Sequence, residues 1–229
     1  MDLTSIDSKR YSAKDFVYME LKKLIISGKL EPSRQINEKA LAGQLEISRT
    51  PIREALHRIE LEELIVRLPN GRIKVAPVSV QEAKEIFTVR SLLEGLVAKE
   101  AAIKISESEL SEMKLYTDLL VQAAEQSDSE RVILYGDKIH HLLYDVSGNR
   151  TAVKVLNNMN DHIMRYRGLG PKTNKFRSFA AAKEHLALYK IIKLKDGEQA
   201  ELLMREHIKN SLDAATQSIE IHLDQKDKD

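Results

Sequence analysis

The sequence predicts a mainly α-helical chain in two parts. The first is an N-terminal unit of three helices with a two-stranded β-ribbon; the second is a C-terminal all-α bundle of six or seven helices. Three observations predict it. Apolar residues recur at helical spacing over most of the 229 residues. Two short β-branched runs, Leu64–Leu68 and Arg72–Ala76, flank the hairpin signal Pro69-Asn70-Gly71. Ser or Asn stands before many of the helical stretches and Gly after several, which are start and stop signals.

Residues 1–10 are polar and irregular and read as a flexible tail. Residues 11–77 make the first unit. From Ala13 to Ser27 the positions Phe16, Met19, Leu21, Leu24 and Ile25 fit a helix, with Gly28 placed to end it. Asn37 caps a second helix, Glu38 to Leu45. Ser48 opens a third, with Pro51 in its first turn, where a missing N–H costs little. Ile52, Ala55, Leu56 and Ile59 form its inward stripe, and Arg49 and Arg53, four apart, share a face beside it. Three helices and a ribbon make a winged helix-turn-helix. Two guanidiniums at the start of a short amphipathic helix suit a major groove, forking onto guanine O6/N7 or onto phosphates; the alternative is a solvated helix face.

Residues 78–229 make the bundle. Ser79 to Glu82 and Ser106 to Glu109 read as capping boxes. Helices are expected over Val80–Lys104, to about Gln126, over Ser129–Val146, Thr151–Tyr166, Ser178–Leu194 and Gly197–Leu223. Gly168 to Pro171 reads as a helix breaker, and Asp224 to Asp229 as a charged, frayed end.

Composition narrows the function. Net charge is +1, but Lys9 to Lys74 holds 14 Lys/Arg against 9 Asp/Glu, while the remainder holds 22 against 26. The first unit is therefore the part suited to phosphate. With no cysteine there is neither a disulfide framework nor a thiolate metal site. No apolar run approaches ~18 residues, so no membrane span is expected. Met1-Asp2-Leu3-Thr4 does not start a signal peptide, and a cytoplasmic protein is expected. No Gly-x-Ser-x-Gly, phosphate-cradling loop or dinucleotide fingerprint stands out.

The bundle holds a suggestive set of ligating side chains. Asp137 and His141 are four apart on one helix face; His185 and His207 lie in the middle of two later helices. Converged, three imidazoles and one carboxylate suit a divalent metal of the Zn, Ni or Mn class, with Fe and Co also compatible, and leave positions for water or a ligand oxygen. The alternative is four ordinary polar residues. His57, His140, His162 and His222 read as ordinary histidines; His140 points about 100° away from His141 around the helix.

Ile36 to Ala42 together with Ser48 to Leu56 resembles the DNA-binding domain of the GntR family of bacterial transcription regulators. The later residues Arg90-x-x-x-Glu94, Asp137-x-x-x-His141, Ser147-Gly148-Asn149, Arg167, Arg177, Glu184-His185, Asp196 and His207 resemble the family's FadR-like (FCD) effector domain. The resemblance implies DNA contacts from Lys39, Arg49 and Arg53, with Ser48 and Thr50 in the same turn, and from Asn70 and Gly71 in the wing. It implies metal ligands at Asp137, His141, His185 and His207, in a cavity that takes small carboxylate effectors. Arg90 is a candidate for an effector carboxylate, or else an ion-pair partner of Glu94. Asn149 is an effector candidate, or else a helix cap.

Three positions depart from the family's pattern. Ser33 and Glu63 stand where glycine is usual, which bears on turn geometry; His140 replaces an aromatic before the second metal ligand. The expectation is a homodimeric, non-enzymatic regulator, a repressor, on a palindromic double-stranded DNA operator, controlled by a small organic acid. A hydrolytic metalloenzyme and a regulator with a purely structural metal are the rivals.

Overall fold

The computed structural model describes residues 12–169 and 175–226. The expected tail over 1–10, the loop after Gly170 and the last three residues lie outside them. The described chain runs α1 (Ala13–Ile26), β1 (Gln35–Ile36), α2 (Glu38–Leu45), α3 (Arg49–Leu61), β2 (Ile65–Arg67), β3 (Ile73–Val75), α4 (Val80–Lys104), α5 (Glu107–Glu125), α6 (Ser129–Ser147), α7 (Arg150–Leu169), α8 (Lys175–Lys193) and α9 (Gly197–Lys226). It divides into two compact units, Met1–Ser79 with Asp161–Leu169, and the remainder.

In the first unit, the inward stripe of α3 packs against Val17, Leu21 and Ile25 of α1, with Ile52, Leu56 and Ile59 all inaccessible to solvent. The ribbon has three strands rather than the expected two. Gln35–Ile36 pairs antiparallel with β3, giving the order β1-β3-β2. Two residues are too few to show a strand's alternation in sequence. Ser48 stands at the N-cap of α3, yet its side chain makes no capping bond; Asn37 does cap α2, accepting from the backbone N–H groups of Lys39 and Ala40.

The two positions where the family favours glycine both have left-handed backbone, φ 66° at Ser33 and 58° at Glu63. Glu63 ends α3: its N–H donates to Glu60 O, and Leu64 N–H reaches back to Ile59 O. This is a Schellman closure with a glutamate at the position glycine usually takes.

The expected break at Gly168 to Pro171 falls where α7 ends, at Leu169, with Gly168 in its last turn. The role of Gly168 is close approach. A Cβ there would sit 2.5 Å from Ile26 O, and one on Gly28 would sit 2.9 Å from Gly168 O. Around this crossing Lys22 of α1 binds Asp161 at 2.6 Å and Glu62 at 2.9 Å, and His162 Nε2 lies 3.2 Å from Glu62 O. The buried Arg165 donates to the carbonyls of Ala76 and Pro77.

The second unit is all-helical. Small residues on α4, Ala98, Ala101 and Ala102, are buried, and α4 packs chiefly on α9. Gly95 of α4 lets the Arg205 side chain of α9 lie against it. The Ser106 capping box is present in full, and Asp128 caps α6. No extra helix forms between α4 and α5. Among the described residues no helix is long and apolar enough to cross a membrane.

Candidate functional site

The first unit carries a polar groove of about 670 Å³ between the start of α2, the outer face of α3 and the wing. Arg49, Arg53, Arg67, Gly71 and Arg72 line it, with His57, Glu38 and Glu60. Burial of Ile52, Ala55, Leu56 and Ile59 turns Arg49 and Arg53 outward. All of the expected DNA-contact residues, Lys39, Ser48, Arg49, Thr50, Arg53, Asn70 and Gly71, are exposed. Asn70 organises the wing tip by accepting from Arg72 N–H, and Gly71 turns it with φ 77°. Arg67 carries no local sequence signal of a groove residue, because strand pairing brings it there.

The second unit brings three histidines together at one point. His140 of α6, His185 of α8 and His207 of α9 are buried, with one ring nitrogen of each within 4.8 Å of the others. Each Nδ1 faces an acceptor: Glu94 Oε2 at 2.9 Å for His140, Ala181 O at 2.8 Å for His185 and Glu184 Oε2 at 2.6 Å for His207. Such acceptors place the proton on Nδ1 and leave the lone pair on Nε2; the His140 and His207 Nε2 atoms are 3.3 Å apart. Burial, with His185 and His140 beside it, holds His207 well below the usual imidazole range, so it is in the neutral form that ligates a metal.

Of the four expected metal ligands, His185 and His207 come together with His140 beside them, while Asp137 and His141 stand on the neighbouring face of α6. Helix register places His140 inward. Val132, Gly136, Ile139 and Leu143 face the interior of the unit, and His140, one turn after Gly136, falls beside them. His141 is exposed and packs edge-on to Tyr144.

Asp137 and His141 instead line a small adjoining cavity with Arg90, His140, Tyr144 and Asn157. At about 10 Å³ it has room for one water at most. Arg90 and Glu94 form an ion pair, the second of the two readings open for Arg90, with Nε to Oε1 at 3.1 Å and both residues buried. Tyr144 donates to the same Oε1 at 2.7 Å. Burial pushes the Glu94 carboxyl up, but His140, Arg90 and Tyr144 outweigh it and hold it at about 2. Burial and the Glu94 charge push Tyr144 upward, keeping its proton as a donor. Arg90 Nη1 is buried with no hydrogen-bond partner. Asn149 does not line the cavity: it accepts from Ala152 N–H at the start of α7 and donates to Glu100. Arg177 pairs with Glu184, and Arg167 lies against Met164.

Residues 13–75 match the family model described as bacterial regulatory proteins, gntR family, and residues 85–210 match the FCD domain. The chain belongs to the GntR family, with an FCD domain. Among curated relatives of this GntR/FCD protein, the uncharacterized HTH-type transcriptional regulator YdhC of Bacillus subtilis is 29% identical over 83% of the chain and 85% of its own length. The HTH-type transcriptional repressor RspR of Escherichia coli is 22% identical over 88% of each. Among solved structures, E. coli McbR/YncC superposes with TM-score 0.67 at 24% identity, over 94% of this chain and 99% of that one. A putative GntR regulator from Rhodococcus sp. RHA1 gives 0.71 at 18%, over 91% and 98%. This GntR/FCD chain is a DNA-binding transcription regulator.

Proposed function

We propose that this GntR/FCD regulator is a homodimeric repressor whose operator affinity is set by a small organic acid, bound at Arg90 beside a divalent metal on His140, His185 and His207. The observation that carries the reading is the trio of imidazoles whose Nδ1 atoms are all tied to acceptors, next to a buried guanidinium with an unpartnered Nη1. Three imidazoles fit a borderline divalent ion such as Zn or Ni, which would leave coordination positions for a ligand oxygen. Charge balance supports an anionic effector. Glu94 and Glu184 are already paired with Arg90 and Arg177, so a divalent ion adds buried positive charge that a carboxylate would offset.

The cavity is too small for an organic acid as it stands, so binding requires its wall to move. Leu156, Asn157 and Asn160 of α7 form part of that wall, and α7 continues unbroken into Asp161 and His162 of the DNA-binding unit. Two relatives, RspR and the gluconate operon transcriptional repressor of Bacillus licheniformis, are named repressors. For the homodimer, the exposed stripe Val89, Leu92 and Leu96 on α4 is the surface offered.

Elemental analysis of purified variants tests the centre. His140→Ala, His185→Ala and His207→Ala should each lose the metal, and His141→Ala should keep it. Full metal in His140→Ala with loss in His141→Ala and Asp137→Ala would move the ion to the face the family resemblance implies. A thermal-shift panel of mono-, di- and tricarboxylates tests the effector: at about 100 times its Kd a ligand adds roughly 2.7 kcal/mol. No response from the metal-loaded chain to any carboxylate would overturn the organic-acid reading.

A further inference from the structure

We infer that Glu38 is a positioning residue for DNA readout, aiming Arg53 at a guanine and tying the wing to the recognition helix. Its carboxylate stands at the first position of α2, where the Asn37 cap fixes the backbone. Three arginines from two other elements converge on it. Arg53 of α3 donates from Nε to Oε2 at 3.0 Å, and Arg49 Nη2 lies 3.6 Å from the same oxygen. Arg67 of β2 brings Nη1 within 3.9 Å of Oε1, while its Nη2 donates to Glu60 Oε2 at 3.2 Å.

A bare carboxylate in a DNA-facing groove opposes phosphate, so its presence there calls for a role beyond attraction. The atoms used supply one. Glu38 holds Arg53 by Nε, which leaves Nη1 and Nη2 for a second partner, and a guanine O6/N7 pair accepts two such parallel N–H groups. The side chain of Arg53 is 61% exposed and that of Glu38 only 18%, so the anchor is sheltered and the fork faces outward. A long side chain tethered near its tip gives up its rotamer freedom before DNA arrives, not on binding. An untethered arginine in the same place would settle on the nearest phosphate, which carries no sequence information.

The test uses the full chain and two variants. Glu38→Gln removes the charge and weakens the tether. Glu38→Asp keeps the charge, suits the same helix start, and withdraws the carboxylate by one methylene. A randomised duplex pool selected with the wild-type chain supplies the specific duplex, and a scrambled version supplies the nonspecific one. Affinities are then read by fluorescence anisotropy at several salt concentrations. With either variant the specific-to-nonspecific ratio should fall about tenfold, the scale of one lost bidentate base contact. Repeated selection with the variants should lose the preference for guanine at one position per half-site. Glu38→Gln should also bind scrambled DNA more tightly and with a steeper salt dependence, as the released arginines turn to phosphates. If Glu38→Gln changes both affinities by the same factor and Glu38→Asp behaves as wild type, Glu38 contributes bulk charge only and the inference is overturned.

Discussion

Replacing Arg90 by methionine isolates the internal ion pair that any effector at this site must coexist with. Arg90 and Glu94 are 5% and 1% exposed and joined at 3.1 Å. Removing one partner of such a pair leaves a buried charge and costs about 3–5 kcal/mol. Methionine fills much of the volume and favours a helix, so packing and propensity add little. Glu94 would keep Tyr144 and His140 as donors, at 2.7 and 2.9 Å, which puts the expectation at the lower end, about 3 kcal/mol. Urea unfolding at fixed protein concentration, followed by circular dichroism, measures it. The double variant Arg90→Met/Glu94→Gln removes both charges, keeps an acceptor for Tyr144, and should recover at least half of the loss. A single-variant cost below about 1 kcal/mol, the scale of an exposed pair, or a double variant no more stable than the single one, would refute the reasoning. The result also governs how a ligand screen on Arg90→Met is read, because a lost response must first be separated from a lost fold.

Glu63→Gly should stabilise the chain by about 0.5–1 kcal/mol: it relieves a left-handed penalty of roughly 1–2 kcal/mol and forfeits part of that to glycine's unfolded-state entropy, and the shift is read from thermal unfolding. Gly168→Ala should destabilise by about 1–3 kcal/mol in the same assay, since its Cβ would meet a backbone oxygen that cannot rotate away; wild-type stability would show that the α1–α7 crossing is loose. Arg53→Ala should weaken operator binding by about 1–3 kcal/mol in gel shift, and unchanged affinity would remove it from base readout.

Much of this architecture was legible in the sequence because its signals are local. The α3 stripe, the Asn37 and Ser106 caps and the wing turn each depend on residues within a turn or two, and they appear where their chemistry places them. The glycine departures at Ser33 and Glu63 were visible as letters, but their meaning, two left-handed residues, needed the backbone. The two-residue strand β1 exists only because β3 pairs with it. Which imidazole of the His140-His141 pair turns inward was in principle readable from Val132, Gly136, Ile139 and Leu143, whose spacing defines the buried face of α6. Asp137 and His141, four apart, share the neighbouring face. The grouping of Arg49, Arg53 and Arg67 about Glu38 was not readable, since it joins three elements distant in sequence. The same holds for Gly168, whose partner is the end of α1 some 140 residues earlier.

The passage of α7 from one unit into the other has a consequence for how such chains can be recombined. The DNA-reading unit is not a continuous stretch of sequence. A gene fusion cut after Ser79 would leave behind Asp161, His162 and Arg165, and with them the partners of Lys22, of the Glu62 carbonyl and of the Ala76 and Pro77 carbonyls. A chimera that grafts a different helical bundle onto this DNA reader must therefore carry a matched second segment. Exchange of the bundle is constrained at two places in the gene rather than at one.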